Sequence, residues 1–296
     1  MKFSIVDVFA EAPYAGNQLA VFRGNPDPDT MLTLAREMNY SETTFITNDM
    51  PRDGGYDVRI FTTASELPFA GHPTLGTAYI IRRDLIGEAV PEVILNLKVG
   101  QIPVRFAEDG FIWMRQKPPQ FGHIYDPAAV AAVLGLSLED MDTRYPIQEA
   151  STGLPFIIVP LKTLAATRQA EVNLPLFMEL IQQGKSALGA DAMFVFCPET
   201  EKSENDLHAR SFVHLHGAPE DPATGSANGD FAGWLVKHQY FGESRVKARV
   251  EQGYEINRPS LLLLDAHDTG ELIEVNVGGQ VQMIARGELV DRHTSL

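Results

Sequence analysis

His72-Pro73-Thr74-Leu75-Gly76-Thr77-Ala78 and Asp221-Pro222-Ala223-Thr224-Gly225-Ser226-Ala227 are the two stretches that decide the fold, because Pro, Gly, a hydroxyl residue and Ala stand at the same four places in each. Upstream of both, Phe61 and Phe212 end runs that read as strands. Downstream, Tyr79-Ile80-Ile81 and Phe231-Ala232-Gly233-Trp234-Leu235 read as helices. A second correspondence sets Ser41-Glu42-Thr43-Thr44-Phe45-Ile46 against Ala190-Asp191-Ala192-Met193-Phe194-Val195, a carboxylate before an apolar strand in each case. Two matches in the same order imply an internal duplication. The expected architecture is α/β (α+β): two domains related by a pseudo-twofold axis, with one helix of the repeat in each. Those helices should begin near Thr74 and near Ala223.

The 296 residues fit two domains, since a single hydrophobic core rarely grows past ~250–300 residues. Val93–Val99, Ile102–Phe106 and Gly110–Arg115 alternate as a strand meander that stops at Lys117-Pro118-Pro119. A Pro-Pro pair cannot continue a sheet interior, so the linker is placed at residues 117–125. The expected division is 1–118, together with about 286–296, and 119–285. Helical patterns cover Pro28–Met38, Pro127–Leu134 and Leu174–Ile181, and the tail from Glu271 to Leu289 alternates as strands around Gly278-Gly279.

Apolar residues make up 44% and charged residues 21%, which is globular rather than disordered composition. No apolar run approaches the ~20 residues that span a bilayer, and the opening Met1-Lys2-Phe3-Ser4-Ile5 lacks a signal-peptide pattern. One cysteine, Cys197, forbids an internal disulfide and fits a reducing compartment, so a cytoplasmic location is expected. A net charge of −15 opposes binding to nucleic acid and to acidic membrane surfaces. A small anion is still a suitable partner, because helix N-termini act at short range.

Both repeats carry a Gly- or Pro-containing loop into a helix, leaving unpaired backbone N–H groups where a carboxylate can dock. His72 and Asp221 each bring a titratable group to such a start, and across a pseudo-twofold they would meet in an interdomain cleft. A plain N-cap also explains an Asp-Pro-x-x-Gly segment, and His72 also reads as a structural histidine. Glu42, between hydroxyl residues and directly before Phe45-Ile46, is either a used carboxylate or a solvated strand start. His214-x-His216 would place two imidazoles on one strand face, but nothing completes a zinc set, so no metal is expected. Gly184-Lys185-Ser186 ends like a phosphate loop, yet Glu179 stands where that motif needs Gly.

Six ordered blocks complete the reading: Asp7-Val8-Phe9, Gly16-Asn17-Gln18-Leu19-Ala20-Val21, Tyr40-Ser41-Glu42-Thr43-Thr44-Phe45, Ala70-Gly71-His72-Pro73-Thr74, the Asp221–Ala227 block, and Gln252-Gly253 before Arg258-Pro259-Ser260. With these the chain resembles the phenazine-biosynthesis PhzF-like family, whose members have the diaminopimelate epimerase-like fold, and the resemblance implies that each domain is a curved, mostly antiparallel sheet or barrel around a central helix. The resemblance implies a cofactor-independent isomerase that moves a proton on a small carboxylate-bearing metabolite. It puts the acid/base on Glu42, with His72 and Asp221 holding and protonating substrate. Asn17, Gly71, Thr224, Gly225, Ser226, Gln252 and Gly253 are the implied substrate-binding residues, and a homodimer is the implied assembly. Epimerases of this fold that use two opposed cysteines need a second thiol, which this chain does not have. A non-catalytic small-acid-binding protein and an amino-acid racemase or epimerase are the other functions the same residues would serve. Asn257 departs from the Gly usual before Arg-Pro-Ser.

Overall fold

The structure, a computed structural model, describes residues 1–184, 186 and 188–290. The chain forms two compact units, Met1–Arg115 with Gly278–Leu296, and Gln116–Val277. Residues 291–296, the end of the expected terminal segment, and Lys185 of Gly184-Lys185-Ser186 lie outside the described residues.

The first unit runs β1 (Lys2–Val8), β2 (Asn17–Arg23), α1 (Pro28–Met38), β3 (Glu42–Ile46), β4 (Tyr56–Phe61), β5 (Glu66–Leu67), α2 (Gly71–Ile80), β6 (Glu92–Leu97), β7 (Gly100–Phe106) and β8 (Ile112–Arg115). The last strand of the chain, β18 (Val281–Glu288), joins it by pairing antiparallel with β1. Beyond β1 the ladder continues antiparallel to β2, parallel to β3, antiparallel to β4, parallel to β6 and antiparallel through β7 to β8. This sheet wraps α2, which touches β1, β2, β3, β6, β7, β8 and β18. Every residue of α2 except Tyr79 is buried, as its almost uninterrupted run of small and apolar side chains requires. α1 covers the other side of the sheet. Its Asp27 cap accepts from Thr30 N, Pro28 opens the first turn, and Asn39 closes the helix in the left-handed region. Met31 and Ala35 pack on Phe22, Phe45 and Phe61, where full burial of each large side chain contributes about 1.5–3 kcal/mol.

The second unit runs β9 (Gln120–Tyr125), α3 (Pro127–Val133), β10 (Ile147–Ser151), β11 (Phe156–Pro160), α4 (Leu164–Gln169), α5 (Leu174–Gln183), β12 (Met193–Cys197), β13 (Leu207–Phe212), β14 (Glu220–Asp221), α6 (Gly225–Lys237), β15 (Arg245–Gln252), β16 (Ser260–Asp268) and β17 (Ile273–Gly279). From β9 the ladder goes antiparallel to β10 and β11, parallel to β12, antiparallel to β13, parallel to β15 and antiparallel to β16. Strand for strand this is the sense of the first unit, with α6 in the place of α2. All of α6 is buried but Lys237.

The ladders also fix how the halves correspond, and the register differs from the one read in the sequence. β5 pairs with the end of β4 so that Glu66 faces Phe61, and β14 pairs with the end of β13 so that Glu220 faces Phe212. Arg59 forks onto Glu66 at 2.7 and 2.8 Å, and Arg210 forks onto Glu220 at 2.8 and 3.1 Å. The central helix then starts at the same interval, at Gly71 and at Gly225. The counterpart of His72 is therefore Ser226, and that of Asp221 is Leu67. Likewise Thr43 and Met193 face the equivalent Phe61 and Phe212, so Glu42 corresponds to Ala192 and not to Asp191. A one-residue slip exchanges the two faces of a strand, which short motif matches do not detect.

Three further expectations are corrected. Residues 120–125 are strand β9 rather than linker, because their polar backbone is paired with β10. The chain returns to the first unit at Gly278 instead of about 286. His214 and His216 lie in a 3₁₀ turn ended by left-handed Gly217, so they share no strand face, and His216 Nε2 meets Asp191 Oδ1 at 2.8 Å.

Candidate active site

In the first unit Glu42 opens β3 beside Leu19 of β2, and His72 is the second residue of α2. Proline follows at position 73 without penalty, since the first helical N–H groups have no partner inside the helix. A buried hydrogen bond of 2.8 Å between Thr44 Oγ1 and Thr77 Oγ1 ties β3 to α2. Oε2 of Glu42 stands 3.4 Å from Nε2 of His72. That is an ion-pair distance, yet burial drives the imidazole down to about 3, against a smaller upward pull from the Gln18 backbone. His72 is thus a neutral ring at ordinary pH. Its Nε2 makes no hydrogen bond, so the Gln18 carbonyl is met by Nδ1–H, which leaves Nε2 as the acceptor facing Glu42.

The N-terminus of α2 is open at its cap: Ala70 supplies no side-chain bond, and Thr74 Oγ1 turns back to the Ala70 carbonyl at 2.7 Å. Gly71 is buried in this first turn. Asn17, 1% exposed, begins β2 opposite Val8. The loop before it is drawn in by Asp7, whose Oδ2 accepts from Tyr14 N at 2.8 Å. Phe9 and Tyr14 both take positive φ there, an arrangement that costs energy in a non-glycine residue.

In the second unit Asp221 ends β14, and α6 does not start until Gly225. Pro222, at a bend, Ala223 and Thr224 lie between them, so Asp221 is no N-cap: the cap residue is Thr224, without a side-chain capping bond. Asp221 Oδ2 accepts from Thr224 Oγ1 at 2.6 Å, which aims the carboxylate along the segment. Gln252, fully buried, holds this loop in place. Its Oε1 accepts from Thr224 N at 3.2 Å and Asn228 Nδ2 at 3.0 Å, while its Nε2 donates to the Asp221 carbonyl at 2.8 Å and to Thr224 Oγ1 at 3.1 Å. Gly253 follows at φ +79°, and a Cβ there would overlap the carbonyl oxygens of Arg258 and Pro222. Gln252 and Gly253 therefore shape the Asp221–Thr224 loop from behind. Ser226, 6% exposed, lies in the first turn of α6.

Two buried networks were not visible in the sequence. His208, with no exposed surface, sits between Glu251 Oε2 at 3.1 Å and Glu255 Oε1 at 2.9 Å. Burial alone would lower this imidazole, but the two carboxylates outweigh it and raise it to about 9, so His208 is an imidazolium at neutral pH. Glu251 also accepts from Glu201 N, Lys202 N and Asn205 Nδ2 at 2.7–2.8 Å. The second network joins Asp230, Thr152, Gln116 and Gly225. A carboxylate inside the apolar run around Phe231 was the available signal for it.

Comparison with known proteins identifies the family of the chain. A family profile described as "Phenazine biosynthesis-like protein" matches residues 6–287. The "Uncharacterized isomerase mll1393" of Mesorhizobium japonicum is 33% identical over 97% of this chain and 98% of its own length. The "Trans-2,3-dihydro-3-hydroxyanthranilate isomerase" of Pseudomonas aeruginosa is 32% identical over 97% of this chain and 98% of its own length. Among solved structures, the PhzF-family phenazine biosynthesis protein of Bacillus anthracis superposes with a TM-score of 0.87 at 25% identity, covering 98% of this chain and 99% of that one. Matched along nearly its whole length in sequence and in fold, the chain belongs to the phenazine biosynthesis-like, PhzF-like family of isomerases.

Proposed function

We propose that this protein is a cofactor-independent isomerase that moves a proton on a small cyclic carboxylate, with Glu42 as the acid/base. The observation that carries the reading is the pair formed by Glu42 and a neutral His72 at the open start of α2. Ionised Glu42 takes a proton from an activated ring carbon. The new Glu42 O–H then finds an acceptor already in place, the bare Nε2 of His72, and Glu42 returns the proton to another carbon. An imidazolium at that position would have no lone pair to offer, so burial of His72 serves the step. A carboxylate suits the first turn of either central helix, Gly71-His72 in α2 or Gly225-Ser226 in α6, because neither cap residue makes a side-chain bond there and the helix dipole favours an anion. Asp221, aimed by Thr224, is assigned to holding and protonating the substrate.

The dihydro-hydroxyanthranilate named for the Pseudomonas aeruginosa relative supplies the substrate class to try first: a partly reduced ring with adjacent amino and carboxylate groups. The test is deuterium incorporation from heavy water into trans-2,3-dihydro-3-hydroxyanthranilate and into a panel of cyclic and α-amino acids. Glu42→Gln is expected to lower turnover by about 10²–10⁴-fold with the fold intact, the usual contribution of general acid–base catalysis. An unchanged rate in that variant removes Glu42 from the role. Exchange confined to α-amino acids identifies a racemase instead.

A further inference from the structure

Asp230 stands in the middle of α6 with no exposed surface. Its Oδ1 is 2.5 Å from Thr152 N and 2.8 Å from Thr152 Oγ1, and its Oδ2 is buried without a hydrogen-bond partner. Thr152 Oγ1 is also 2.5 Å from Gln116 Oε1, and Gln116 Nε2 lies 2.8 Å from the carbonyl of Gly225. Counting protons fixes the state of the whole chain of bonds. Only the amide nitrogen of Gln116 can face the Gly225 carbonyl, because its oxygen there would set two acceptors together. Gln116 Oε1 must then accept, and it takes the single hydroxyl proton of Thr152. The proton between Thr152 Oγ1 and Asp230 Oδ1 has to come from Asp230. Asp230 is consequently a neutral acid, and burial, raising it well above the ordinary aspartate range, agrees. Gly229 next to it has no side chain for a reason: a Cβ would overlap Gln116 Oε1.

We infer that Asp230 is a positioning residue which, as a neutral acid, fixes through Thr152 and Gln116 the carbonyl of Gly225 and with it the first turn of α6. All bonds in this relay run one way, Asp230 O–H to Thr152, Thr152 O–H to Gln116, Gln116 N–H to Gly225. Nothing in it is exposed to water, so losing one member leaves a buried polar atom unpaired. Thr152 N–H is anchored by the same carboxyl, which couples the segment after β10 to the helix start. The consequence for ligands rests on the function proposed above, in which the first turn at Gly225-Ser226 suits a carboxylate.

Three measurements on the full chain separate the parts. Infrared spectra of wild type and Asp230→Asn at neutral pH should differ by the C=O stretch of a protonated carboxyl; its absence from the wild type overturns the neutral-acid assignment. Hydrogen exchange across residues 224–230 should be faster in Thr152→Val and restored to the wild-type rate in Thr152→Ser; unchanged exchange in Thr152→Val overturns the positioning role. Binding of anthranilate, followed by calorimetry, should weaken about tenfold in Thr152→Val and recover in Thr152→Ser, since ~1.4 kcal/mol, within the range for one buried hydrogen bond, is tenfold in affinity. If anthranilate does not bind the wild type, the proposed function loses its ligand while the infrared and exchange results still decide the role of Asp230.

Discussion

Nε2 of His72 stands 3.4 Å from Oε2 of Glu42 and carries no proton at neutral pH, so the two groups meet as base and acceptor rather than as an ion pair. This makes separate demands on activity and on stability. His72→Phe, which removes the acceptor, should lower turnover by about ten- to a hundredfold with little change in substrate affinity, consistent with loss of one buried hydrogen bond made in the intermediate. The rate profile of the wild type should carry no limb from His72. A limb near 6.5 that vanishes with His72 would show the imidazole itself titrating and refute the assignment. For stability, the folded-state value of about 3 lies below the unfolded 6.5. The unfolded chain therefore binds the extra proton, and stability falls as pH drops from about 6.5 toward 3. That slope should be shallower in His72→Phe.

His208 has the opposite sign. Its folded value of about 9 lies above the unfolded 6.5, so its contribution is fully present below pH 6.5 and is lost as pH rises through 9. At ~1.4 kcal/mol per unit this is about 3 kcal/mol. Urea unfolding at pH 6 and pH 9 should show the loss in wild type and a smaller one in His208→Gln. At pH 6 the variant should be about 3–5 kcal/mol less stable, because Glu251 and Glu255 keep their burial without the cation between them. Equal stability of the two proteins at pH 6 would contradict the imidazolium.

Gly253→Ala places a side chain in the left-handed region and against the carbonyls of Arg258 and Pro222. A destabilisation of about 1–3 kcal/mol is expected from the backbone alone. Turnover should fall further than stability, since Pro222 follows Asp221. Wild-type turnover in a folded variant would mean that the loop is not held from behind by this turn.

The paired arginines offer a comparison inside one molecule. Arg59 bonds only Glu66 among the described hydrogen bonds, whereas Arg210 bonds Glu220 and also donates to the carbonyls of Thr167, Arg168 and Ala170 at 2.7–3.2 Å. Arg210 is also the more deeply buried of the two. Arg210→Met should cost about 3–5 kcal/mol and Arg59→Met about 1 kcal/mol, measured by thermal unfolding. Similar losses would mean that the carbonyl contacts contribute nothing.

Elements governed by neighbours in the chain were legible. Asp27-Pro28, Asp126-Pro127 and Asn173-Leu174-Pro175 start helices where an acceptor side chain precedes an early proline, and the structure shows each cap bond. Glu42 and His72 stand out in the sequence by their residue types and surroundings, and the structure sets their side chains 3.4 Å apart. The correspondence between halves was read in the wrong register, because Pro and Gly recur wherever a strand must enter a helix, whatever the alignment. Ladder pairings and the Arg59–Glu66 and Arg210–Glu220 forks supply the register, and they depend on strands meeting across long intervals. The same holds for Asp230 with Thr152 and for His208 with Glu251: each residue alone is an ordinary polar side chain, and only the packed fold makes them partners.

That β18 pairs with β1 imposes an order of events during synthesis. The segment 116–277 emerges from the ribosome complete and can close its own sheet at once. The first 115 residues, made earlier, must wait until Val281–Glu288 has left the exit tunnel before β1 acquires its outer neighbour. For that interval β1 presents an unpaired edge to every other nascent chain nearby. The part of the protein translated first is thus the last to be finished, and slow or interrupted translation near residue 280 exposes it longest.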